Sequence, residues 1–198
     1  MNEHLQLVFE ILLPELERAG IQYWVYGGMG IAGVVGEFIR KNTDVDIFVE
    51  DADFENATSL LDDICRQNNL EPNLIGGRRP KFEVKVKATD RRDTLSVVPV
   101  YREDGLVKFI FRPRPARYPD QILERTPRNI CAYSFFSPPD GYVKELFKTY
   151  LTNRPGVKGR KKIQTDAKAI LTPEEFRAFF PGLKCAHQDL GASHSRPK

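Results

Sequence analysis

Two aspartates one residue apart, Asp44 and Asp46, stand in the run "TDVDIFVE", and two adjacent glycines, Gly27 and Gly28, stand in "YWVYGGMG". Both pairs consist of residues that can do chemistry. Alternate residues of a strand point to the same face, so the carboxylates of Asp44 and Asp46 emerge together while Val45 and Ile47 turn the other way. Two carboxylates held close repel each other, and each keeps the other's proton on unless a cation sits between them. Oxygen ligands of this kind suit Mg²⁺, which takes one or two carboxylates and completes its shell with phosphates and water. Glycines between a strand and a helix let the backbone come close to a ligand, with amide N–H groups and the helix N-terminus facing an anion. An anion cradle beside a Mg²⁺ site meets the needs of a nucleoside triphosphate. Taken singly, each pair is more often structural, a turn or a solvated edge; their order across a short helix gives them weight.

The elements that must position these residues follow from periodicity. Leu5, Val8, Phe9, Leu12 and Leu16 have helical spacing, and Gly20 is a plausible stop. "IQYWVYGG" reads as a buried strand with Tyr23, Trp24 and Tyr26 as core, and "MGIAGVVGEFIR" as a helix with Ile31, Val34, Val35, Phe38 and Ile39 on one stripe. "DVDIFVE" is the next strand, with Phe48 in the core, and "DFENATSLLDDICRQNN" the next helix. "KFEVKVKA" alternates strictly, with Phe82, Val84, Val86 and Ala88 opposite Lys81, Glu83, Lys85 and Lys87. A turn at "TDRRD" leads to the strand "DTLSVVPVY", and residues 105–135 lean towards β structure among prolines. Helices are predicted in "PPDGYVKELFKTYLTN", "IQTDAKAIL" and "TPEEFRAFF", the last with Thr172 as N-cap and Pro173 at its first position. The order predicts an α/β (α+β) fold, a core with a mixed sheet over 1–118, a C-terminal strand and helical part over 119–182 packed on it, and a disordered tail over 183–198.

Composition sets the bounds. The chain has 198 residues, 41% hydrophobic and 29% charged, which suits a soluble globular protein with a sizeable core. No apolar run reaches the ~20 residues of a membrane helix, and no secretory pattern opens the chain. Cys65, Cys131 and Cys185 have no paired spacing, so reduced thiols and a cytoplasmic location are expected. The formal charge of +3 is mild and compatible with a phosphate-bearing partner.

The stretch "VYGGMGIAGVVGEFIRKNTDVDIFVE" resembles the signature of the polymerase β-like nucleotidyltransferases: Gly-Gly or Gly-Ser, a short helix, then Asp-x-Asp on the next strand. Within that superfamily the chain is similar to the minimal branch with lincosamide and aminoglycoside nucleotidyltransferases and the AbiEii/MenT-type toxins. The resemblance implies that Gly27 and Gly28 hold the triphosphate and that Asp44 and Asp46 bind one or two Mg²⁺ ions. Two C-terminal stretches, "SPPDGYVKELFKTYL" and "GRKKIQTDAKAIL", look like further motifs of the toxin-like enzymes. Carried over, they make Lys144 a phosphate-facing, nucleotide-binding cation, with Asp166 orienting that lysine or accepting a proton. The implied activity is Mg²⁺-dependent transfer of a nucleotide from an NTP such as ATP to an acceptor hydroxyl, with pyrophosphate released. By the toxin-like branch the acceptor is RNA, a tRNA end, with an antitoxin protein as a further partner. The basic stretches at 112–117 and 154–162 fit an RNA backbone. The alternative is an antibiotic or other small hydroxylated acceptor, or a degenerate module that binds nucleotide or RNA without turnover.

One departure from the pattern bears on mechanism. Many members carry a third carboxylate on a later strand, where "LSVVPVY" has Ser96. A serine is neither a comparable base nor a comparable ligand. Glu83 or Asp93 could substitute from nearby, Asp166 could take the role, or the protein could be a weak catalyst.

Overall fold

A computed structural model of the protein describes residues 5–68, 70–77, 80–86, 94–110 and 114–183. The chain enters through a π-helical turn, Val8–Leu12, that runs into α1, Leu13–Arg18. There follow β1 (Trp24–Tyr26), α2 (Gly27–Val35), β2 (Val45–Glu50), α3 (Asp51–Gln67), β3 (Leu70–Ile75) and β4 (Lys81–Val86). The second half holds β5 (Leu95–Glu103), β6 (Leu106–Phe109), β7 (Ala116–Pro119), β8 (Thr126–Ile130), β9 (Tyr133–Ser137), α4 (Asp140–Asn153), α5 (Lys161–Ile170) and α6 (Pro173–Phe179). The fold is the mixed α/β architecture the sequence predicts.

Seven strands form one mixed sheet with the path β1-β2-β5-β4-β3, and β6 and β7 extend it from β5. β2 and β5 are parallel; every other pairing in the sheet is antiparallel. β4 pairs with Leu95–Val97 and β6 with Val100–Glu103, both on the edge of β5 away from β2, so the ladder is open between them at Val98 and Pro99. β8 and β9 make a separate hairpin.

Alternation along the strands sorts the two faces. Val25, Val45, Ile47, Val49, Leu95 and Val97 point back into a core closed by the N-terminal helix and α3. Trp24, Phe48 and Val100 point forward, where Phe48 stacks on Trp24 at 5.3 Å and meets the edge of Phe109 at 4.8 Å. The Trp24 indole N–H is buried and donates to the Leu123 carbonyl at 3.1 Å, which satisfies the one polar atom of that side chain. A third apolar cluster joins Ile31 of α2 to Val143, Phe147 and Leu151 of α4, Ile163 and Ala167 of α5, and Phe176 of α6. The C-terminal helices are thereby packed on the short helix that follows the paired glycines.

Two elements differ from the sequence expectation. α2 stops at Val35, because Gly36 takes a left-handed conformation (φ 85°) and its N–H caps the Ala32 carbonyl. Phe38 and Ile39, predicted on the helical stripe, lie in the loop beyond and reach two different clusters. β3 is a strand that the sequence reading left unassigned. Its Pro72 and its polar residues suit an edge position, where a missing N–H and solvated side chains cost little. The β-leaning stretch resolves into β6 to β9, and α6 opens with a full capping box between Thr172 and Glu175. Among the described residues no helix is long and apolar enough to cross a membrane. Cys65 is buried and free, and Cys131 is exposed and free. Asp93, Cys185, Lys87, Ala88 and the predicted tail from 184 onward lie outside the described residues.

Candidate active site

β1 ends at Tyr26, and Gly27 (φ 64°) turns the chain into α2. Only glycine takes that conformation without strain, and space demands it as well. A Cβ on Gly27 would stand 2.8 Å from Asp46 Oδ2, and one on Gly28 would collide with the Arg40 guanidinium and come within 2.9 Å of Asn42 Oδ1. The two glycines therefore let a carboxylate and a guanidinium come directly onto the backbone at the mouth of α2.

Strand register assembles the rest. Asp46 is paired with Tyr26 on β1 and with Ser96 on β5, and Ser96 is paired in turn with Glu83 on β4. Register partners share a face, so these four side chains form one row across the front of the sheet. The Asp46 carboxyl is pushed up to about 7, first by burial, then by the charge of Asp44; Lys81, Lys162 and Ser96 pull the other way. The Ser96 hydroxyl is close enough to favour the ionised form of Asp46, yet its buried Oγ has no partner in good hydrogen-bond geometry. The Tyr26 phenol is raised well above its ordinary value by burial and by Asp46. Tyr26, assigned to the core by the sequence reading, thus belongs to the site.

These residues line a cavity of about 650 Å³, within the usual range for a small-molecule site. Gly27, Gly28, Asp44, Asp46, Arg40, Asp166 and Lys162 lie on its walls, and so do Lys81, Glu83 and Ser96. A wall of Tyr101, Phe109, Ile110, Leu146, Phe147 and Tyr150 leads to Asn153 and Arg154.

Asp166 is 2% exposed, and both of its oxygens are engaged by Arg40: Nε to Oδ1 at 2.6 Å and Nη2 to Oδ2 at 2.8 Å. It orients a cation at the glycine turn, and that cation is Arg40, where the sequence reading expected Asp166 to orient Lys144 or accept a proton. Lys144 does not line the cavity. Its Nζ lies 2.6 Å from Glu175 on α6, because the face of α4 that meets the cavity carries Val143, Leu146, Phe147 and Tyr150. The structure thus places Lys144, expected to bind nucleotide, apart from Asp44, Asp46 and the glycine turn. Lys162, expected to serve an RNA backbone, is at the cavity, whereas Arg160 and Lys161 are exposed away from it. Arg40 could have been suspected as the single arginine between the paired glycines and the paired aspartates; nothing local marks its partner.

The residues present fit a divalent cation of the Mg²⁺ kind. Asp44 and Asp46 supply two hard oxygen ligands, and a cation would relieve the repulsion that raises Asp46. Among the described residues no three His, Cys, Asp or Glu side chains converge on one point, so further ligands would have to come from substrate and water.

The chain superimposes on the lincosamide antibiotic adenylyltransferase LnuA, solved with lincomycin bound, with a TM-score of 0.57 and 14% identity, over 86% of this chain and 96% of that one. It superimposes on ANT(2'')-Ia in complex with adenylyl-2''-tobramycin with a TM-score of 0.58 and 12% identity, over 90% of this chain and 95% of that one. The chain therefore shares its fold with these two adenylyltransferases. The sequence profile of the aminoglycoside-2''-adenylyltransferase family matches residues 8–93 of this nucleotidyltransferase fold, a span that holds Gly27, Gly28, Arg40, Asp44, Asp46 and Glu83. No curated protein matches the chain at a significant level.

Proposed function

We propose that the protein transfers a nucleoside monophosphate from an NTP to the hydroxyl of a small acceptor, releasing pyrophosphate. The observation that carries this reading is the convergence of Asp44, Asp46, Arg40 and the Gly27–Gly28 turn on one cavity that continues into an apolar, aromatic pocket. Arg40, held in direction by Asp166, and Lys162 would bind the phosphates, and the amides at the start of α2 would add neutral donors. Asp44 and Asp46 would hold Mg²⁺, which when bound neutralises charge building on the phosphates. Tyr26 closes the site beside Asp46, and its neutral hydroxyl adds no charge there.

The small acceptor is preferred to RNA for two reasons. Two of the similar proteins of known structure are antibiotic adenylyltransferases, one solved with lincomycin and one with an adenylylated tobramycin. The far wall of the cavity is apolar and aromatic over Tyr101, Phe109, Ile110, Leu146, Phe147 and Tyr150, the lining of a small-molecule site rather than of a backbone-tracking groove.

The test is label transfer from each α-³²P-NTP, with Mg²⁺, to a panel of hydroxylated antibiotics and metabolites and to total RNA. Wild-type protein labels a small molecule and Asp46→Ala labels nothing. Label on RNA alone overturns the small acceptor; binding of NTP without any transfer favours a non-catalytic module.

A further inference from the structure

The wall that leads away from the glycine turn carries charge of one sign. α4 supplies much of it: Val143, Leu146, Phe147, Tyr150, Asn153 and Arg154 all line the cavity. Spacings of three and four residues put them on one helix face, and the run from Val143 to Arg154 spans roughly 16 Å. Val143 marks the inner end, where its Cγ1 lies 3.7 Å from the place a Cβ on Gly30 would take. The face is therefore apolar beside α2, aromatic further along, and polar at its outer end.

Arg154 stands at the C-terminal end of α4, and its guanidinium lies 5.7 Å over the Tyr150 ring. It thus folds back along the wall, and its charge is felt at Tyr26: burial and Asp46 raise that phenol, and Arg154 pulls the other way. A cation at a helix C-terminus is favourable in any fold, but that role does not require it to face a cavity. The other cations on the cavity stand beside carboxylates, Arg40 on Asp166, Lys81 on Glu83 and Lys162 near Asp46. Asp44, Asp46, Glu83 and Asp166 are thus gathered at the glycine turn and along the strand row. Among the described residues no acid pairs with Arg154. Asp51 bonds to the Tyr101 hydroxyl and does not itself line the cavity. Asn153 is tied to the outer end by a bond from Nδ2 to the Arg114 carbonyl at 3.4 Å.

We infer that the acceptor is a small hydroxylated molecule with an apolar or aromatic body and an anionic head, a carboxylate or a phosphate, seated against Arg154. The inference rests on the transfer reading above and names the class of its acceptor. A guanidinium offers its donors in a planar fork that matches either anion. The body would lie along Leu146, Phe147 and Tyr150, with its hydroxyl towards Asp44 and Asp46 and its head at the outer end. A polycationic acceptor meets the opposite of what it needs on this wall: no carboxylate among the described lining residues of α4, and a positive charge that repels it.

The test gives wild-type protein an α-³²P-NTP, Mg²⁺ and matched sets of hydroxylated compounds. Members of a set share an aromatic body and end in a carboxylate, a phosphate, a primary amide or an amine; tobramycin is run beside them. Label is expected on the carboxylate or the phosphate member, with kcat/KM at least about 10-fold above the amide twin, and which of the two takes it identifies the anion. Losing a hydrogen-bonded charge contact costs about 10- to 100-fold. Arg154→Met should raise the acceptor KM by that factor with kcat, the KM for NTP and Tm close to wild type, and Arg154→Lys should recover part of it. Equal or better labelling of the amide or amine member, or of tobramycin, overturns the inference. So does an Arg154→Met protein with the wild-type KM for the anionic acceptor. A raised KM for NTP in that variant overturns it as well, since Arg154 would then meet the triphosphate. Wild-type protein that labels no small molecule overturns the transfer to a small acceptor instead, and this inference with it.

Discussion

Arg40 and Asp166 lie 126 positions apart in the chain and form a two-pronged ion pair, with side chains 15% and 3% exposed. The pair ties the loop after α2 to the middle of α5 and fixes a guanidinium against Gly28. It links packing to function directly, since whatever loosens the C-terminal helices also releases a cation from the cavity.

Removing one partner strands the other's charge. Breaking a buried pair costs about 3–5 kcal/mol when one charge is left uncompensated. Asp166→Asn is expected at the lower end of that range, because part of Arg40 remains open to the cavity. Urea denaturation should show that loss, and the KM for NTP should rise about tenfold with kcat falling less.

Gly27→Ala tests the close approach of Asp46. A left-handed alanine costs about 1–2 kcal/mol, and the new methyl would stand 2.8 Å from Asp46 Oδ2. Transfer should fall by more than the loss of stability explains, with Tm lowered by only a few degrees. A variant that transfers at the wild-type rate would show that Asp46 need not touch the turn.

Asp46 makes stability depend on pH. Its ordinary value is 3.8, and burial and Asp44 raise it to about 7 in the fold. Between those values the folded protein holds a proton that the unfolded chain has lost, so stability falls as pH rises through this window, and the whole penalty is present above 7. In metal-free protein at pH 8, Asp46→Asn should gain on the order of 2 kcal/mol, roughly 5 °C in Tm, while below pH 4 the two proteins should converge. Mg²⁺ with NTP should stabilise wild type at pH 8 and lose that effect as pH drops below 7. Thermal scans across pH, with and without both ligands, read all of this.

Lys144 and Lys162 should part company. Lys144→Met removes the first cause holding Glu175 at about 2. That carboxylate's contribution is present above its ordinary value of 4.5 and is lost as pH falls through about 2. With the pair about a quarter exposed, the change at pH 7 should stay below about 1 kcal/mol, and NTP binding should be unaltered. Lys162→Met should leave Tm unchanged and weaken NTP binding. Calorimetric titration of both variants with NTP decides which lysine meets phosphate.

The order Gly-Gly, helix, Asp-x-Asp was legible because its meaning is local. A strand has a period of two, so Asp46 had to face away from Val45 and Ile47 wherever the strand lay, while Asp44 stands just before β2 and still lines the cavity. The alternation of "KFEVKVKA" likewise put Glu83 on the polar face of its strand. The sequence also determined the α/β class, since the period of each apolar pattern names its element. Which strands are neighbours was not local. The row from Tyr26 through Asp46 and Ser96 to Glu83 exists only because β5 inserts between β2 and β4, and residue 83 meets residue 96 through register. The placement of Lys144 was not local for a related reason. A helix shows many faces, and only its packing against α2 and α6 decided that Val143 and Phe147 would meet the cavity while Lys144 met Glu175. Local chemistry determined which groups the chain offers; long-range packing, with Arg40 seated on Asp166, decided which of them meet in one cavity.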